Sequence, residues 1–258
     1  MPMPAREEML SKIKAALNIQ APQKSLSLSS EQPDQIRRRC VEQRERLIEQ
    51  FEAELTRVGV HLFRADSVAA ASEYLERVAL ASDAKRMIGW DSPLIDKIVE
   101  TVALEKTNEL EKIGVEFLRD RAGDTASDII SADFISTDFI SADFISAAIE
   151  SEIGITTVDY ALADTGTLVL ISGAGRARSA SLVPPVHVAV VEARQIISGL
   201  DDLFPLLAEN SGGADQKMAS AITFITGPSR TADIELTLVV GVHGPQQLHV
   251  ILIADQQY

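Results

Sequence analysis

Two apolar runs in the second half of the chain constrain its fold more than any other feature. Residues 186–191 and 248–253 are hydrophobic at every position except one histidine each, so neither run alternates as a half-exposed strand does. Strands that are apolar on both faces lie inside a sheet covered on both sides, as parallel sheets are. The second run also predicts that the end of the chain is tied into the core.

The first half of the chain alternates strand patterns with helix patterns. The strand patterns are residues 60–63, 86–89 and 115–118, and the helix patterns are residues 34–58, closed by Gly59, residues 67–81 and a segment opened by Asp91 or Ser92. Strands separated by helices need crossover connections, which predicts an α/β fold with an open, mainly parallel sheet flanked by helices. Residues 167–171 and 222–226 are further apolar runs that suit the same covered sheet.

The chain is expected to divide into an amino-terminal tail and one domain. Apolar residues recur at helical spacing within residues 8–17, and residues 19–33 are rich in Ser, Gln and Pro without a sustained period. We therefore predict an amphipathic helix and flexible linker over residues 1–33 and an α/β domain over residues 34–258. The helix would dock on the domain or on a partner, and a frayed terminus is the alternative.

A period of five residues interrupts the domain at residues 131–146. Ser-Ala-Asp-Phe-Ile begins at residues 131 and 141, and Ser-Thr-Asp-Phe-Ile begins at residue 136. This period matches neither helix nor strand, and so few units cannot stack as a solenoid. We interpret the segment as a local sequence expansion. Its phenylalanines, if exposed, would form a sticky patch or a subunit contact, which leaves a homo-oligomer open.

Composition excludes several classes of function. The formal net charge of −14 at pH 7 opposes nucleic-acid binding, which requires a basic face. No stretch reaches the roughly 18 consecutive apolar residues of a membrane span, and the acidic amino terminus lacks the apolar core of a secretory signal. Cys40 is the single cysteine and cannot form an internal disulfide, so we expect a cytoplasmic protein.

Metal-binding motifs are absent from the sequence. It has four histidines and one cysteine, without an H-x-x-H, H-E-x-x-H or C-x-x-C pattern, so we predict no metal site. A site made of His187, His243, Asp159 and Asp233 would need the fold to bring all of them together. One cysteine cannot hold an iron–sulfur cluster alone.

The segment over residues 223–235 carries the densest set of hydrogen-bonding groups. Its strand pattern ends at Gly227-Pro228, and Ser229, Arg230, Thr231 and Asp233 follow as candidate ligand-binding residues. Ser229 and Thr231 are suited to cap a helix amino terminus, where unpaired N–H groups favour an anion. Arg230 would add a bidentate fork, or would form an internal ion pair with Asp233 and Glu235.

Two groups further along the chain belong to the same interpretation. His243 lies in Gly241-Val-His-Gly244, where the glycines let a ligand approach the backbone. An imidazole there can act as an acid, a base or a ligand. We therefore predict that His243 and Gly244 line the rim of the same ligand site.

The central part of the chain holds a pair of carboxylates. Asp159 and Asp164 are five residues apart, and Thr165 and Gly166 follow directly. Such a pair can serve as an acid/base pair or a metal clamp. The alternative is that Asp164-Thr165-Gly166 is a β-turn into the next strand.

Three further candidates lie between the central strands. Arg176 belongs to a Gly- and Arg-rich loop, residues 173–178, which can wrap a phosphate or carboxylate; a solvated connecting loop is the alternative. His187 lies just inside the next strand, as a reactive imidazole or as a core histidine bonded to a carbonyl. Glu192, at the end of that strand, is a candidate catalytic carboxylate.

Several of these segments resemble one protein family. Gly227-Pro-Ser-Arg-Thr-Ala-Asp-Ile-Glu235, Gly241-Val-His-Gly-Pro245 and residues 248–253 resemble the carboxy-terminal part of the LUD-domain family, in particular its lactate utilization protein C type. Residues 154–167 and 182–187 resemble that family too, as does the opening segment, residues 6–17. The resemblance is strong from about residue 152 onward.

The resemblance implies a fold similar to the ribose-isomerase and CoA-transferase type. It implies a component of a system that oxidises L-lactate to pyruvate with iron–sulfur partner proteins, and that binds a small anionic metabolite. No cofactor is expected in this chain, because the iron–sulfur clusters would lie in the partners. The expected ligand-facing residues are Asp164, Thr165, Ser229, Arg230, Asp233 and His243.

Two other functions stay open. The chain is alternatively a freestanding isomerase or acyl-CoA transferase, in which Asp164 or Glu192 would act as base or nucleophile. As a third alternative, it is a non-catalytic assembly subunit that docks through its amino-terminal helix and its phenylalanine repeats.

Overall fold

The computed structural model describes residues 31–105, 115–122, 135–136, 142–210, 221–232 and 238–254. The strands in these ranges are β1 (His61–Ala65), β2 (Arg86–Trp90), β3 (Glu116–Ala122), β4 (Ile135–Ser136), β5 (Ile153–Thr157), β6 (Tyr160–Leu162), β7 (Thr167–Ser172), β8 (Val186–Glu192), β9 (Ile196–Ile197), β10 (Ala221–Ile225), β11 (Arg230–Ala232), β12 (Leu238–Val240) and β13 (Gln247–Ile253). The helices are α1 (Pro33–Glu42), α2 (Arg44–Val58), α3 (Val68–Ala81), α4 (Pro93–Glu105), α5 (Ala142–Ile149), α6 (Ser179–Leu182) and α7 (Leu200–Asn210), and a 3₁₀ turn spans Ala193–Gln195.

The main sheet runs in the spatial order β1, β13, β8, β5, β2, β3, β4, and each neighbouring pair in it is parallel. The predicted open, mainly parallel sheet flanked by helices is therefore confirmed. β13 lies between β1 and β8, so the last strand is internal to the sheet. Residues 248–253 are buried, as strands covered on both faces are.

A second sheet has the order β10, β7, β6, β9, in which β7 is antiparallel to both of its neighbours. Residues 167–171 and 222–226 therefore do not join the main sheet, and that prediction is wrong. In β10 the prediction of burial on both faces also fails, since Ile222 is 40% and Phe224 is 45% exposed. Hydrophobicity indicates burial, but it does not select the partner strand.

Local sequence explains where the helices begin and end. Ser67 Oγ accepts a hydrogen bond from the Ala70 amide at 3.1 Å and caps α3. Gly59 ends α2 with φ 80°, as predicted, because glycine takes that conformation without a Cβ clash. The predicted single helix over residues 34–58 is wrong, since Gln43 (φ −102°, ψ 14°) separates α1 from α2.

The core lies along the main sheet and continues into the second sheet. It takes in the apolar face of α2, with Leu47, Phe51 and Leu55 buried. Phe144, from the third repeat unit, is buried in α5 and not exposed. The phenylalanines of the other two units, and the predicted tail before residue 31, lie outside the described residues. Within the described ranges, no helix is long and apolar enough to cross a membrane.

Candidate functional site

Two polar clusters lie at opposite ends of the hairpin formed by β6 and β7. Asp159 and Arg176 meet at the end of β7, where the Ile171 amide donates to the Asp159 carboxylate. Thr165 and Thr167 meet at the start of β7. Since Ile171 follows Thr167 by four residues at about 3.4 Å each, the clusters are roughly 14 Å apart along the strand.

Arg176 and Asp159 form a bidentate ion pair. Arg176 Nη1 donates to Asp159 Oδ1 at 3.0 Å, and Nη2 donates to Oδ2 at 2.7 Å. Oδ2 also accepts the Ile171 amide hydrogen bond at 2.7 Å, which fixes the carboxylate from a second direction. A guanidinium carries five N–H donors, so this pair leaves donors of Arg176 for a ligand.

The Arg176 guanidinium also lies over Trp90, the single tryptophan of the chain. Its Cζ is 4.3 Å from the ring centroid, which is a cation–π contact. Trp90 ends β2, and its Nε1 donates to the Ala177 carbonyl at 3.0 Å. The end of β2 therefore positions both the arginine side chain and the loop that carries it.

Further hydrogen bonds hold the loop over residues 173–178. Asp120 Oδ2 accepts the Ala177 amide at 2.5 Å, and the Asp91 amide donates to the Gly175 carbonyl at 2.9 Å. Gly175 has φ 69°, and a Cβ there would lie 3.0 Å from the Asp120 carbonyl oxygen. Glycine is needed for both reasons, and the loop is fixed before any ligand arrives.

We call Trp90, Asp120, Asp159 and Arg176 the Asp159–Arg176 site. Trp90 ends β2, Asp120 lies in the second half of β3, and Asp159 follows β5, so the site is at the carboxyl edge of the main sheet. Open α/β sheets bind ligands at this edge. The Arg176 side chain is 31% exposed and its Asp159 partner 19%, so the arginine is open to solvent.

A buried hydroxyl lies close to Arg176 in the sequence. Ser179 is buried, and its Oγ has no hydrogen-bond partner in the described part of the chain. Leaving a buried polar group unsatisfied costs about 1–3 kcal/mol, which a ligand or a water would relieve.

The second cluster is a chain of hydroxyl groups that ends on a carboxylate. Thr165 Oγ1 donates to Asp164 Oδ1 at 3.1 Å, and Thr167 Oγ1 donates to Thr165 Oγ1 at 2.8 Å. Each hydroxyl has one hydrogen, so Thr226 Oγ1 must be the donor in its 2.7 Å bond with Thr167 Oγ1. We call these residues the hydroxyl chain. It joins the turn before β7 to the residue that follows β10.

The carboxylate of the hydroxyl chain lies at the start of α7. The Asp164 amide donates to the Ser198 carbonyl at 3.1 Å, and a Cβ on Gly199 would overlap the Asp164 carboxylate. The Gly199 carbonyl accepts the Leu203 amide in the first turn of α7. A carboxylate beside a helix amino terminus is stabilised by the partial positive charge there, so Asp164 has a structural role in this fold.

The described carboxy-terminal candidates lie at the amino edge of the main sheet. The Ser229 amide donates to the Pro245 carbonyl and the Gln246 amide to the Pro185 carbonyl, both at 2.8 Å, just before β13 and β8 begin. Arg230 Nη2 donates to the Val58 carbonyl at 3.1 Å and so caps the end of α2. These residues and the Asp159–Arg176 site are therefore at opposite edges.

The structure places the remaining candidates of this region as follows. His243 is exposed, and a Cβ on Gly244 would lie 3.3 Å from Ser229 Cβ. Ser229 and Thr231 do not cap a helix, because Arg230–Ala232 is strand β11. Asp233 lies outside the described residues, so the predicted ion pair with Arg230 stays a prediction.

The central candidates separate as well. Asp159 and Asp164 lie on either side of β6, and each carboxylate has a partner of its own, Arg176 for Asp159 and Thr165 for Asp164. Gly166 is a turn glycine with φ 66°, and a Cβ there would meet the backbone of α2. Among the described residues, no group of three or more His, Cys, Asp or Glu is placed to hold a metal ion.

His187 and Glu192 are engaged by their own surroundings. His187 is buried and its Nε2 shares a 2.9 Å hydrogen bond with Thr156 Oγ1, so its partner is a hydroxyl and not a carbonyl. Burial, with a smaller effect of His249, lowers the pKa of His187 to about 3. The Glu192 side chain caps the 3₁₀ turn after β8 and accepts from Arg194 Nη2 at 2.7 Å.

Sequence reasoning missed Trp90, Asp120, Thr167 and Thr226. Trp90 and Asp120 lie at or near the ends of predicted strands, and that position was the available signal for a site at the carboxyl edge. The two threonines are inconspicuous in the sequence. Their role depends on the pairing of β7 with β10, which no local pattern reveals.

The sheet order places the chain in the class of open α/β proteins, and the Asp159–Arg176 pair lies at the carboxyl edge of its main sheet. A crystal structure of a DUF162 family protein from Deinococcus radiodurans has the same fold, with a TM-score of 0.52 over 81% of this chain and 98% of that chain, at 19% identity. The LUD domain family model matches residues 48–253. The chain belongs to the LUD domain family.

Several curated relatives are named lactate utilization protein C. The protein from Halalkalibacterium halodurans is 40% identical over 109 residues, which is 42% of this chain and 47% of that protein. The protein from Geobacillus sp. is 29% identical over 210 residues, 81% of this chain and 79% of that protein. The more identical alignments thus span about half the length of the relatives they match.

Proposed function

We propose that this protein is a component of a lactate utilization system and binds a small carboxylate through Arg176. The carrying observation is that Asp159, Trp90 and the fixed loop hold the guanidinium at the carboxyl edge of the main sheet. A preorganised fork binds a carboxylate at lower entropic cost than a mobile side chain. The name shared by the relatives supports lactate or pyruvate as that carboxylate.

The proposed reaction requires other proteins. Oxidation of L-lactate to pyruvate breaks the C2–H and O–H bonds, forms the C=O bond, and releases two electrons with two protons. The electrons need an acceptor, and this chain contains one cysteine where a cluster is usually held by four. We therefore propose iron–sulfur proteins as acceptors and partners, in the reducing cytoplasm, with this chain binding the substrate or product.

Acyl-CoA transfer is the alternative chemistry, and it would use a glutamate nucleophile. Glu192 is the candidate, but its side chain accepts the Gln195 amide and the Arg194 guanidinium. Attack on an acyl group would break this cap. The carboxylate-binding function therefore has the better geometric support.

The single tryptophan gives a direct test of binding at Arg176. We expect the fluorescence of Trp90 to change saturably with L-lactate or pyruvate, because the guanidinium over the ring is the group that the ligand contacts. Arg176→Gln should abolish the change. Arg178→Gln is the matched control, since Arg178 is exposed on the same loop and should leave the titration unaltered.

The same titration separates the alternatives. Acetate tests whether a carboxylate group alone is enough for binding. A CoA ester tests the alternative function as an acyl-CoA transferase. Loss of the response in Arg230→Gln but not in Arg176→Gln would place the ligand at the amino edge and reject Arg176. If none of these compounds changes the fluorescence or raises the melting temperature, the chain acts as an assembly subunit instead.

A further inference from the structure

Among the described residues, β10 is an unprotected edge strand. It pairs with β7 on one side, and no described strand pairs with its other side. Every second residue of a strand directs its N–H and C=O groups to the same side, so the outer edge of β10 offers a row of donors and acceptors. Proteins normally blunt such edges with charged residues, proline or a covering element.

The sequence of β10, Ala-Ile-Thr-Phe-Ile, has none of these protections. Ile222 and Phe224 project from one face with 40% and 45% of their surface exposed. β10 therefore combines an exposed apolar face with a backbone edge that no described strand pairs with. An exposed, uncharged edge of this kind is a site for strand addition.

We propose that β10 pairs with β10 of a second copy of this chain, antiparallel about a two-fold axis at Thr223. The two smaller sheets would then form one continuous sheet across the dimer. In this register Ile222 lies opposite Phe224 of the second copy, and Phe224 opposite its Ile222. Such pairs of an aromatic with a β-branched residue are favourable neighbours across antiparallel strands.

The composition of β10 allows a second copy as the occupant despite the net charge of the chain. Each chain carries a formal net charge of −14, so most ways of joining two copies bring like charges together. β10 contains no charged residue, so this contact joins the copies without placing like charges opposite each other. A self-complementary strand is also what a two-fold interface requires.

The first test is the mass of the full chain in solution, measured by light scattering over a range of protein concentrations. We expect the wild type at twice 27.9 kDa. Phe224→Lys should return it to the monomer mass, because it removes both Phe224–Ile222 pairs and brings two ammonium groups near each other beside the two-fold axis. Phe204→Lys is the matched control: Phe204 is equally exposed, at 45%, but lies on α7, so this variant should stay dimeric.

A second variant tests the interface even if Phe224→Lys fails to fold. Thr223→Cys would place two thiols across the axis, at a Cα separation of about 4.5–5.5 Å that suits a disulfide. We expect oxidation to give a covalent dimer on a non-reducing gel, whereas Phe204→Cys should not.

A monomeric wild type overturns the proposal, and so does one that dimerises only after residues 1–30 are deleted. A wild-type dimer with no disulfide in Thr223→Cys assigns the interface to another surface and also rejects it.

Discussion

The buried imidazoles show how position sets the chemistry of a single residue. Burial, with a smaller effect of His249, lowers the pKa of His187 to about 3, and burial, with a smaller effect of His61, lowers that of His249 to about 4. A general base works best with a pKa near the working pH. Both side chains are therefore neutral structural groups, and His249 Nδ1 shares a 3.0 Å hydrogen bond with the Tyr74 hydroxyl.

His187 should make the free energy of unfolding depend on pH. In the unfolded chain it binds a proton below its ordinary pKa of 6.5, whereas the folded chain holds it neutral down to about 3. The stability is complete above pH 6.5 and falls as the pH drops, by up to about 1.4 kcal/mol per pH unit. We expect His187→Asn to show a smaller loss between pH 7.5 and pH 5 than the wild type in urea titrations.

Thr156→Val is the control for this effect. It removes the hydrogen bond to His187 but leaves the titrating group, so it should lower stability at both pH values and keep the wild-type pH dependence. An equal pH dependence in His187→Asn and in the wild type would refute the assignment.

The two candidate arginines show what the sequence could and could not reveal at this scale. Both were identified from loops rich in hydrogen-bonding groups. Arg230 is bound to the end of α2, whereas Arg176 faces solvent over Trp90. The partner of Arg176 is Asp159, which sequence spacing had suggested as a partner of Asp164. These roles depend on contacts between residues that are distant in the sequence. Such contacts cannot be predicted from a single sequence.

The turn between β6 and β7 offers a test at the scale of elements. Gly166 has φ 66°, and a Cβ there would lie 3.0 Å from the Leu55 amide nitrogen of α2. Gly166→Ala should lower the free energy of unfolding by about 1–3 kcal/mol, through backbone strain and this contact. Gly173→Ala is the matched control, because nothing lies within 4 Å of its Cβ position. Equal urea midpoints for the two variants would contradict this account.

Elements were more predictable than their pairing. Residues 86–89 and 248–253 were predicted as strands and lie within β2 and β13, because apolar runs and their flanking turns are local signals. The break at Gln43 was not predictable, since the buried residues Cys40 and Leu47 keep a near-helical spacing across it. The second sheet was missed because its strands carry the same apolar signal as those of the main sheet.

The order of the strands ties the whole molecule together. β13 comes last in the chain, yet it separates β1 from β8, so β1 is joined to the main sheet through β13 alone among the described strands. Ile251 is fully buried in the middle of β13, and its register partners are Phe63 and Val190. Loss of packing at Ile251 should destabilise the strands on both sides of β13. We therefore expect the main sheet to unfold as one cooperative unit.

Ile251→Ala tests that cooperativity. Removing this buried side chain should cost about 2–5 kcal/mol, whereas Val242→Ala, at a position that is 51% exposed, should change stability little. Far-ultraviolet circular dichroism reports the whole fold, and Trp90 fluorescence reports β2, which is separated from β13 by β8 and β5. Both signals should move to the same lower urea midpoint. If Trp90 kept its wild-type midpoint while the dichroism signal fell earlier, the two sides of the sheet would unfold separately, and β13 would not couple them.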